Sequence, residues 1–192
     1  MNDVLIINGH PDNNSFCHTL SEYYKLGAEK SGYNCKLIHL SNLDFNPSLK
    51  FGYNIKMEME PDLVELQMSI TQTNHLVFIF PTWWGTYPAL FKGFIDRVFL
   101  PGYAFVYQNH SQLPIPLMKG KTARIIITMD TPAWFYSLIY KSPGINSLKK
   151  SVLQFCGFKK VRITIFTPVR NSEEKIRKRW LKKIEIMGNK MK

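Results

Sequence analysis

The sequence predicts a three-layer α/β sandwich, with a parallel sheet of five strands between two layers of helices. Short apolar runs alternate along the chain with segments of helical periodicity, which is typical of a parallel sheet covered on both faces. Three of the runs contain stretches that are apolar throughout, residues 4–7, 77–80 and 125–127, as expected for central strands. The 192 residues can bury a sizeable core and show no internal repeat or linker, so we expect residues 1–192 to form a single domain.

The polarity of the runs predicts their order in the sheet. The five runs are residues 4–8, 35–40, 76–80, 123–129 and 161–166. Lys36 and His39 interrupt the second run, and Arg162 and Thr164 alternate with apolar residues in the fifth, so these two are predicted at the edges. Right-handed crossovers then give the order 2-1-3-4-5, which is the flavodoxin-like order. Half of a Rossmann fold, with another strand order, is the alternative.

Helical patterns fill the connections between these strands. The helices are expected from Ser15 to near Gly32, from Pro61, from Pro88 and over residues 145–155. Pro61 suits the first position of a helix, because its ring fixes φ and the N–H it lacks would have no partner there. Residues 41–60 lack periodicity and contain Pro47 and Gly52, so we expect a variable loop.

The last segment predicts a basic amphipathic helix over residues 171–188. Its apolar stripe recurs at helical spacing and consists of Ile176, Trp180, Ile184 and Met187. Asn171 and Ser172 are the expected N-terminal cap, and Gly188 is expected just beyond the end. Much of the formal net charge of +11 lies on residues 170–192, and we interpret this basic excess as the solvated face of a packed helix.

Composition narrows the classes of function. Because the solvated face of the C-terminal helix explains the basic excess, we expect no nucleic-acid partner. Nucleic-acid binding through the net charge of +11 is the alternative. No apolar run approaches the ~20 residues of a membrane span, and Asp3 ahead of a short apolar run is unlike a secretory signal. The cysteines Cys17, Cys35 and Cys156 are odd in number and far apart, which supports neither disulfides nor a metal site. We therefore expect a cytoplasmic protein without membrane insertion.

Three segments, residues 9–17, 81–88 and 128–136, converge at the carboxyl ends of the central strands in the predicted sheet, where this fold binds ligands. The first, residues 9–17, places Ser15 at a helix start, where unpaired N–H groups favour a phosphate. This segment contains neither the GxxxxGK[ST] motif of nucleoside-triphosphate sites nor the GxGxxG motif of Rossmann dinucleotide sites, so the sequence supports neither kind of site. For Ser15, a plain helix cap is the alternative role. In the second, residues 81–88, the pair Trp83-Trp84 can form a flat wall for a planar ring. A hydrophobic plug or a subunit interface is the alternative for this pair.

Several stretches resemble the NAD(P)H:quinone oxidoreductases of the flavodoxin-like fold. They are GHPDNNSF after the first strand, FPTWWGTYPALFKGFIDRVFLPGYAF around the third, and LQFCGF near the end. This family includes bacterial modulator-of-drug-activity quinone reductases and ancillary flavoproteins of potassium efflux systems. The resemblance implies FAD, with FMN as the alternative, and hydride transfer from NAD(P)H through flavin N5 to a quinone or similar acceptor by a ping-pong mechanism. The alternative function is an ancillary subunit of a potassium efflux or other transporter, with little turnover.

The resemblance also implies roles for individual residues. Those that would hold the flavin phosphates and ribityl chain are His10, Ser15, Phe16 and Cys17. Those that would line the flavin ring are Pro81, Thr82, Trp83, Trp84 and Gly85, with Thr128, Met129, Asp130 and Thr131 along its pyrimidine end. Tyr136 matches a family tyrosine that hydrogen-bonds near flavin O2 and is the expected catalytic residue. Phe105 and Tyr107 match aromatic residues that family members place in the site of a second subunit, which implies a homodimer.

Two positions depart from the family pattern. The family often has Thr-Thr-Gly-Gly where this chain has Thr128-Met129-Asp130-Thr131, and no histidine follows Tyr136 before Asn146. Asp130 beside a reduced, anionic flavin is unfavourable unless it points away or caps the following turn. These departures concern the acceptor and a Tyr–His proton relay more than they concern the flavin.

Overall fold

A five-stranded parallel sheet forms the centre of the computed structural model, which describes residues 3–108 and 113–190. The strands in chain order are β1 (Val4–Asn8), β2 (Cys35–His39), β3 (His75–Pro81), β4 (Phe105–Val106), β5 (Ile115–Pro116), β6 (Thr122–Thr128) and β7 (Lys160–Phe166). The sheet order is β2-β1-β3-β6-β7, and β4 and β5 form a separate two-stranded ribbon. Numbered among the five main strands alone, this order is the predicted 2-1-3-4-5, and the flavodoxin-like fold class is confirmed.

Helices cover both faces of the sheet. They are α1 (Phe16–Lys30), α2 (Pro61–Gln72), α3 (Ala89–Val98), α4 (Ala133–Leu138), α5 (Pro143–Asn146) and α6 (Glu174–Lys190). The helix expected over residues 145–155 begins earlier, as α5, and continues in π-helical turns over Ser147–Gln154. Strands β1 and β3 are buried throughout, as expected for central strands, and β2 is half-buried. In β7 the burial does not follow the alternation of polarity, because Thr164 is buried and Ile163 is exposed, although β7 does lie at an edge of the sheet as predicted.

The C-terminal helix differs from the prediction at both ends. Ser172 does not cap it, because its hydroxyl donates to the carbonyl of Val169 at 2.7 Å and the helix begins only at Glu174. Gly188 lies inside the helix and is buried against α1, where a Cβ atom would overlap the carbonyl oxygen of Tyr24. On α1, a Cβ at Gly27 would overlap the carbonyl oxygen of Glu185. These two glycines allow the backbones of α1 and α6 to approach closely, a contact that local helix signals do not reveal.

Residues 43–60 contain turns but neither helix nor strand, and a buried arginine holds them against α3. The Arg97 side chain is 1% exposed, and its Nη2 donates to Glu58 O at 3.0 Å and to Glu60 Oε2 at 2.7 Å. Its Nη1 also donates to the carbonyl of Asn46. Because a buried guanidinium requires partners for its donors, this segment keeps a fixed path. Among the described residues, no helix has the length and apolarity needed to cross a membrane.

We expect Gly27→Ala to lower the free energy of unfolding by roughly 1–3 kcal/mol, because the added methyl group forces α1 away from α6. The same substitution in an unpacked helix would raise stability, since alanine has the higher helix propensity. The exposed Leu26 on the same helix provides the control, and Leu26→Ala is expected to change stability by about 0.5 kcal/mol or less. Urea unfolding measures both, and a Gly27→Ala protein as stable as the parent would contradict the close packing.

Candidate functional site

A cleft of about 590 Å³ opens at the carboxyl ends of β3 and β6. Thr82 N donates to Thr128 O at 2.7 Å, which holds the segments after the two strands side by side. The residues lining the cleft are Pro81, Thr82, Trp83, Trp84, Thr128, Met129, Asp130, Val169 and Arg170. A second cleft of about 460 Å³ adjoins it, because Thr82 and Trp84 line both. Its other lining residues are Gly85, Thr131, Tyr136, Tyr140 and Pro143.

The exposed indole between the clefts belongs to a tight turn. Trp83 N donates to Thr86 O at 3.1 Å and Thr86 N to Trp83 O at 2.9 Å, while φ is 49° at Trp84 and 76° at Gly85. Two central residues with positive φ are characteristic of a type I′ turn, in which glycine is favoured and tryptophan is not. A left-handed conformation costs a residue with a Cβ atom about 1–2 kcal/mol. Trp84 is fully exposed in the chain, so burial of its side chain does not offset this cost.

The hydroxyl group of Tyr136 holds this turn in place through hydrogen bonds. Its hydroxyl donates to Gly85 O at 2.9 Å and accepts from Gly144 N at 3.1 Å. Gly144 N also donates to Gly85 O at 3.1 Å, and a Cβ atom at Gly144 would lie 2.9 Å from the Cα atom of Thr86. Burial raises the pKa of Tyr136, although hydrogen bonds from the backbone of Gly144 and Ile145 oppose the shift. The hydroxyl of the expected catalytic residue is therefore engaged with two backbone groups.

The first loop joins the site through His10. The backbone N–H of His10 donates to Asn8 Oδ1 at 3.1 Å, and the ring Nδ1 of His10 accepts a hydrogen bond from the backbone N–H of Asp12 at 3.0 Å. The ring meets Trp83 edge-on, with centroids 5.6 Å apart. Burial lowers the pKa of His10, against the opposing effect of Asp12, which favours the neutral imidazole. These contacts leave His10 Nε2 as the ring atom available to a ligand.

At the start of α1, backbone N–H groups are available to a ligand, whereas the nearby side chains already have contacts within the chain. Ser15 Oγ accepts from His18 N at 3.2 Å, so its hydroxyl is the helix cap. Cys17 is buried, its Sγ lies 3.2 Å from Thr128 Oγ1, and burial raises the pKa of the thiol to about 12. Phe16 packs against Trp180 of α6. None of these three residues lines either cleft, and the backbone N–H groups of Phe16 and Cys17 remain for an anion.

Asp130 is held by a basic residue. Its Oδ1 accepts from Arg170 N at 2.7 Å, and its Oδ2 lies 3.6 Å from Arg170 Nε. The carboxylate thus lines the cleft with a guanidinium beside it, which reduces the unfavourable effect expected of an acid there. Val169 N donates to Met129 O at 3.1 Å and brings the segment after β7 to the site.

Phe105 and Tyr107 lie away from both clefts. Phe105 belongs to the β4–β5 ribbon and packs edge-on against Phe155, with centroids 4.9 Å apart, and against Tyr107 at 5.6 Å. These residues line a different pocket of about 520 Å³, together with Tyr53 and Ile95. Within one chain, the structure does not bring these two aromatic residues to the site.

The family model described as the flavodoxin-like fold matches residues 2–186 of this sequence. The chain belongs to this family. An uncharacterized NAD(P)H oxidoreductase of Haemophilus influenzae is 26% identical over 91% of this chain and 88% of its own length. NAD(P)H dehydrogenase (quinone) 1 of Rattus norvegicus is 25% identical over 81% of this chain, which spans 65% of that relative. These homologues are NAD(P)H oxidoreductases and quinone reductases, and the resemblance that the sequence predicts is confirmed.

Solved structures share the flavodoxin-like architecture. The NAD(P)H:quinone oxidoreductase from Methanothermobacter marburgensis superposes with a TM-score of 0.82 and 22% identity, over 100% of this chain and 99% of that one. An FMN-dependent NADH-azoreductase from Bacillus anthracis, solved with FMN, gives a TM-score of 0.74 and 18% identity, over 100% and 99%. At these identities the similarity is one of fold.

Arg170 and Val169 are site residues of this flavodoxin-like chain that sequence reasoning missed. Both follow the fifth strand of the main sheet, whose carboxyl end lies at the same edge as those of β3 and β6. The parallel order that predicts convergence of the other segments applies equally to this one. A basic residue four positions after the predicted fifth strand was therefore an available signal.

We expect the Trp84→Gly protein to be more stable than the Trp84→Ala protein by about 1 kcal/mol, because both lack the indole and only glycine relieves the positive φ. Thr86 supplies the matched control in the same turn. Its φ is not positive, so Thr86→Gly should be less stable than Thr86→Ala. Urea denaturation of the four variants measures these differences, and Trp84→Gly no more stable than Trp84→Ala would exclude strain at this position.

Proposed function

We propose that this chain is a flavin-dependent NAD(P)H oxidoreductase that reduces a quinone or a similar small acceptor by a ping-pong mechanism. The observation that carries the proposal is Trp84, whose indole is exposed beside the strand-end cleft in a strained turn. Backbone strain of this kind is concentrated at functional sites, and a flat wall fits a planar ring. The names of the homologues support NAD(P)H as the electron donor. When bound, the flavin supplies hydride acceptance from NAD(P)H and two-electron donation to the acceptor.

The residues present fit a flavin. Backbone N–H groups at the start of α1 can bind its phosphate, and His10 Nε2 is free of contacts within the loop. Thr82, Trp83, Trp84 and Gly85 would line the ring, with the segment from Thr128 to Thr131 along its other end. FAD is preferred to FMN because of the quinone-reductase resemblance, and the FMN-bound azoreductase neighbour keeps FMN as the alternative.

Charge at the site also suits this cofactor. Arg170 lines the cleft and pairs with Asp130 at 3.6 Å, so the carboxylate does not stand alone beside the ring. A guanidinium near a group that becomes anionic on reduction stabilises the charged form. The residues after β7 would therefore help to hold the reduced state.

Aromatic residues around the clefts favour a planar acceptor. Trp134 and Tyr140 are exposed near Tyr136, and Tyr140 lines the second cleft with Trp84. Side chains of this kind provide apolar contact at a low cost in conformational entropy. We propose that NAD(P)H and the acceptor occupy this side in turn.

We further propose a homodimer in which the face around Phe105 and Tyr107 covers the site of a second copy. Large apolar side chains are exposed near these residues, including Tyr53 and Leu117. Exposed apolar patches of this kind commonly mark interfaces between proteins. Because Phe105 and Tyr107 do not reach the clefts of their own chain, a role for them at a flavin requires the second copy. A cytoplasmic setting is consistent with the unpaired state of Cys17, Cys35 and Cys156.

We expect the purified protein to show the visible bands of oxidised flavin, directly or after incubation with FAD or FMN, and these bands to bleach with NADPH under anaerobic conditions. Trp84→Ala should weaken flavin binding about tenfold through loss of one aromatic contact. Ile186→Ala, which removes an exposed apolar side chain on α6, should leave binding unchanged. A protein that stays colourless with both flavins would contradict the proposal and favour the ancillary-subunit alternative.

The role we propose for Tyr136 is to position the Gly85 turn, because its one hydroxyl proton is already donated to Gly85 O and would have to leave that carbonyl to reach a ligand. Tyr136→Phe should lower the free energy of unfolding by about 1–3 kcal/mol and reduce turnover without changing the shape of the pH–rate profile. Tyr140→Phe, at an exposed tyrosine that lines the same cleft, is the control and should preserve stability. Loss of one limb of the profile in Tyr136→Phe would instead indicate a proton donor.

A further inference from the structure

His18, Glu22 and His39 form a cluster that does not line either cleft. Their candidate ligand atoms all lie within 4.8 Å of one another. His18 and Glu22 are four residues apart on α1 and so share one face, while His39 is the last residue of β2. Glu22 Oε1 lies 3.8 Å from His18 Nε2 and 3.6 Å from His39 Nε2. The two imidazole rings stack with centroids 4.2 Å apart and planes 15° apart.

Both histidines turn the same ring nitrogen toward the glutamate. His18 Nδ1 is buried without a hydrogen-bond partner among the described residues, and His39 Nδ1 lies 3.0 Å from Nδ2 of the fully buried Asn8. The Nε2 atoms are therefore the ones that remain for a common ligand. Neither contact with Glu22 is a short hydrogen bond, because N–H···O bonds are usually 2.7–3.2 Å long.

We propose that these three residues bind a divalent transition-metal ion of the zinc class. Two imidazole nitrogens and one carboxylate oxygen suit Zn²⁺, Co²⁺ or Ni²⁺, whereas Ca²⁺ and Mg²⁺ require oxygen ligands. In a tetrahedral site with bonds of about 2.0–2.2 Å, ligand atoms lie roughly 3.4 Å apart. The distances of 3.6 and 3.8 Å from Glu22 to the two histidines need to contract by only a few tenths of an ångström. The third separation is within 4.8 Å, and one of the two stacked imidazoles has to rotate out of the stack so that both Nε2 lone pairs point at the ion. Water takes the fourth position.

Binding at His39 involves Asn8 and the first loop. The backbone N–H of His10 donates to Asn8 Oδ1, which orients the Asn8 side chain so that its Nδ2 donates to His39 Nδ1. Because His39 Nδ1 accepts this hydrogen bond, the neutral His39 ring carries its proton on Nε2. Coordination requires that proton on Nδ1, and solvent exchange can move it there without net release. Asn8 then has to turn its oxygen toward His39 and give up the hydrogen bond from His10 N. The ion therefore links the end of β2 to the loop that carries His10.

Titration of the full-length, metal-stripped protein with Co²⁺ tests the site, because tetrahedral Co²⁺ has intense visible absorption and does not require flavin. We expect one ion per chain, displaced by Zn²⁺, with calorimetry giving the affinity. Glu22→Gln should weaken binding at least tenfold, and His18→Ala should do the same. His10→Gln is the matched control, since His10 lies outside the cluster, and should retain the spectrum.

The outcomes separate clearly. Absorption of a tetrahedral ion that is lost in both cluster variants and kept in His10→Gln supports the site. Dissociation constants above about 1 mM, octahedral Co²⁺, or binding that survives Glu22→Gln and His18→Ala would overturn it. Because Glu22 is exposed, Glu22→Gln gives the answer even where His18→Ala does not fold.

Discussion

Burial of β1, β3 and β6 between two layers of helices is the constraint on which the rest of the molecule depends. Their side chains can hold few polar groups, because a buried group without a partner is costly. The exceptions at the carboxyl ends are Asn8 and Thr128, the last residues of β1 and β6. Asn8 contacts the backbone of His10 in the first loop, and Thr128 contacts Cys17 in the first turn of α1. The same burial that excludes polar chemistry from the core thus aligns the first loop with the clefts.

The strained turn at Trp84 is held in place by hydrogen bonds from neighbouring segments. A left-handed tryptophan costs about 1–2 kcal/mol, and a hydrogen bond to the backbone contributes about 0.5–1.5 kcal/mol. The contacts of Tyr136 and Gly144 with Gly85 are therefore large enough to hold the turn. Without a role for the exposed indole, selection for stability would favour glycine at this position. The strain is thus an argument for function that is independent of the family resemblance.

The sequence predicted those features whose causes are local. Strand positions, edge strands and the Ser15 cap follow from residue type and spacing within a few positions. Gly188 was misassigned to a helix end because its cause is the backbone of α1, distant in sequence. The positive φ of Trp84 has no local signature either, since tryptophan is unfavourable there. Arg170 joins the site through topology, because it follows a strand whose carboxyl end lies at the same edge of the sheet as those of β3 and β6.

The positive charge of the chain favours anionic ligands at the site, which the shape of the clefts alone does not do. The proposed ligands, a flavin nucleotide and NAD(P)H, are anionic through their phosphates, and the chain carries a formal net charge of +11. Several cations of α6 have partners, such as Lys178 with Glu174 and Lys182 with Glu185, yet the excess remains. Such a field raises association rates over about a Debye length without selecting a ligand. Selection therefore has to come from short-range groups at the cleft, where Arg170 and the start of α1 present positive charge beside the aromatic wall.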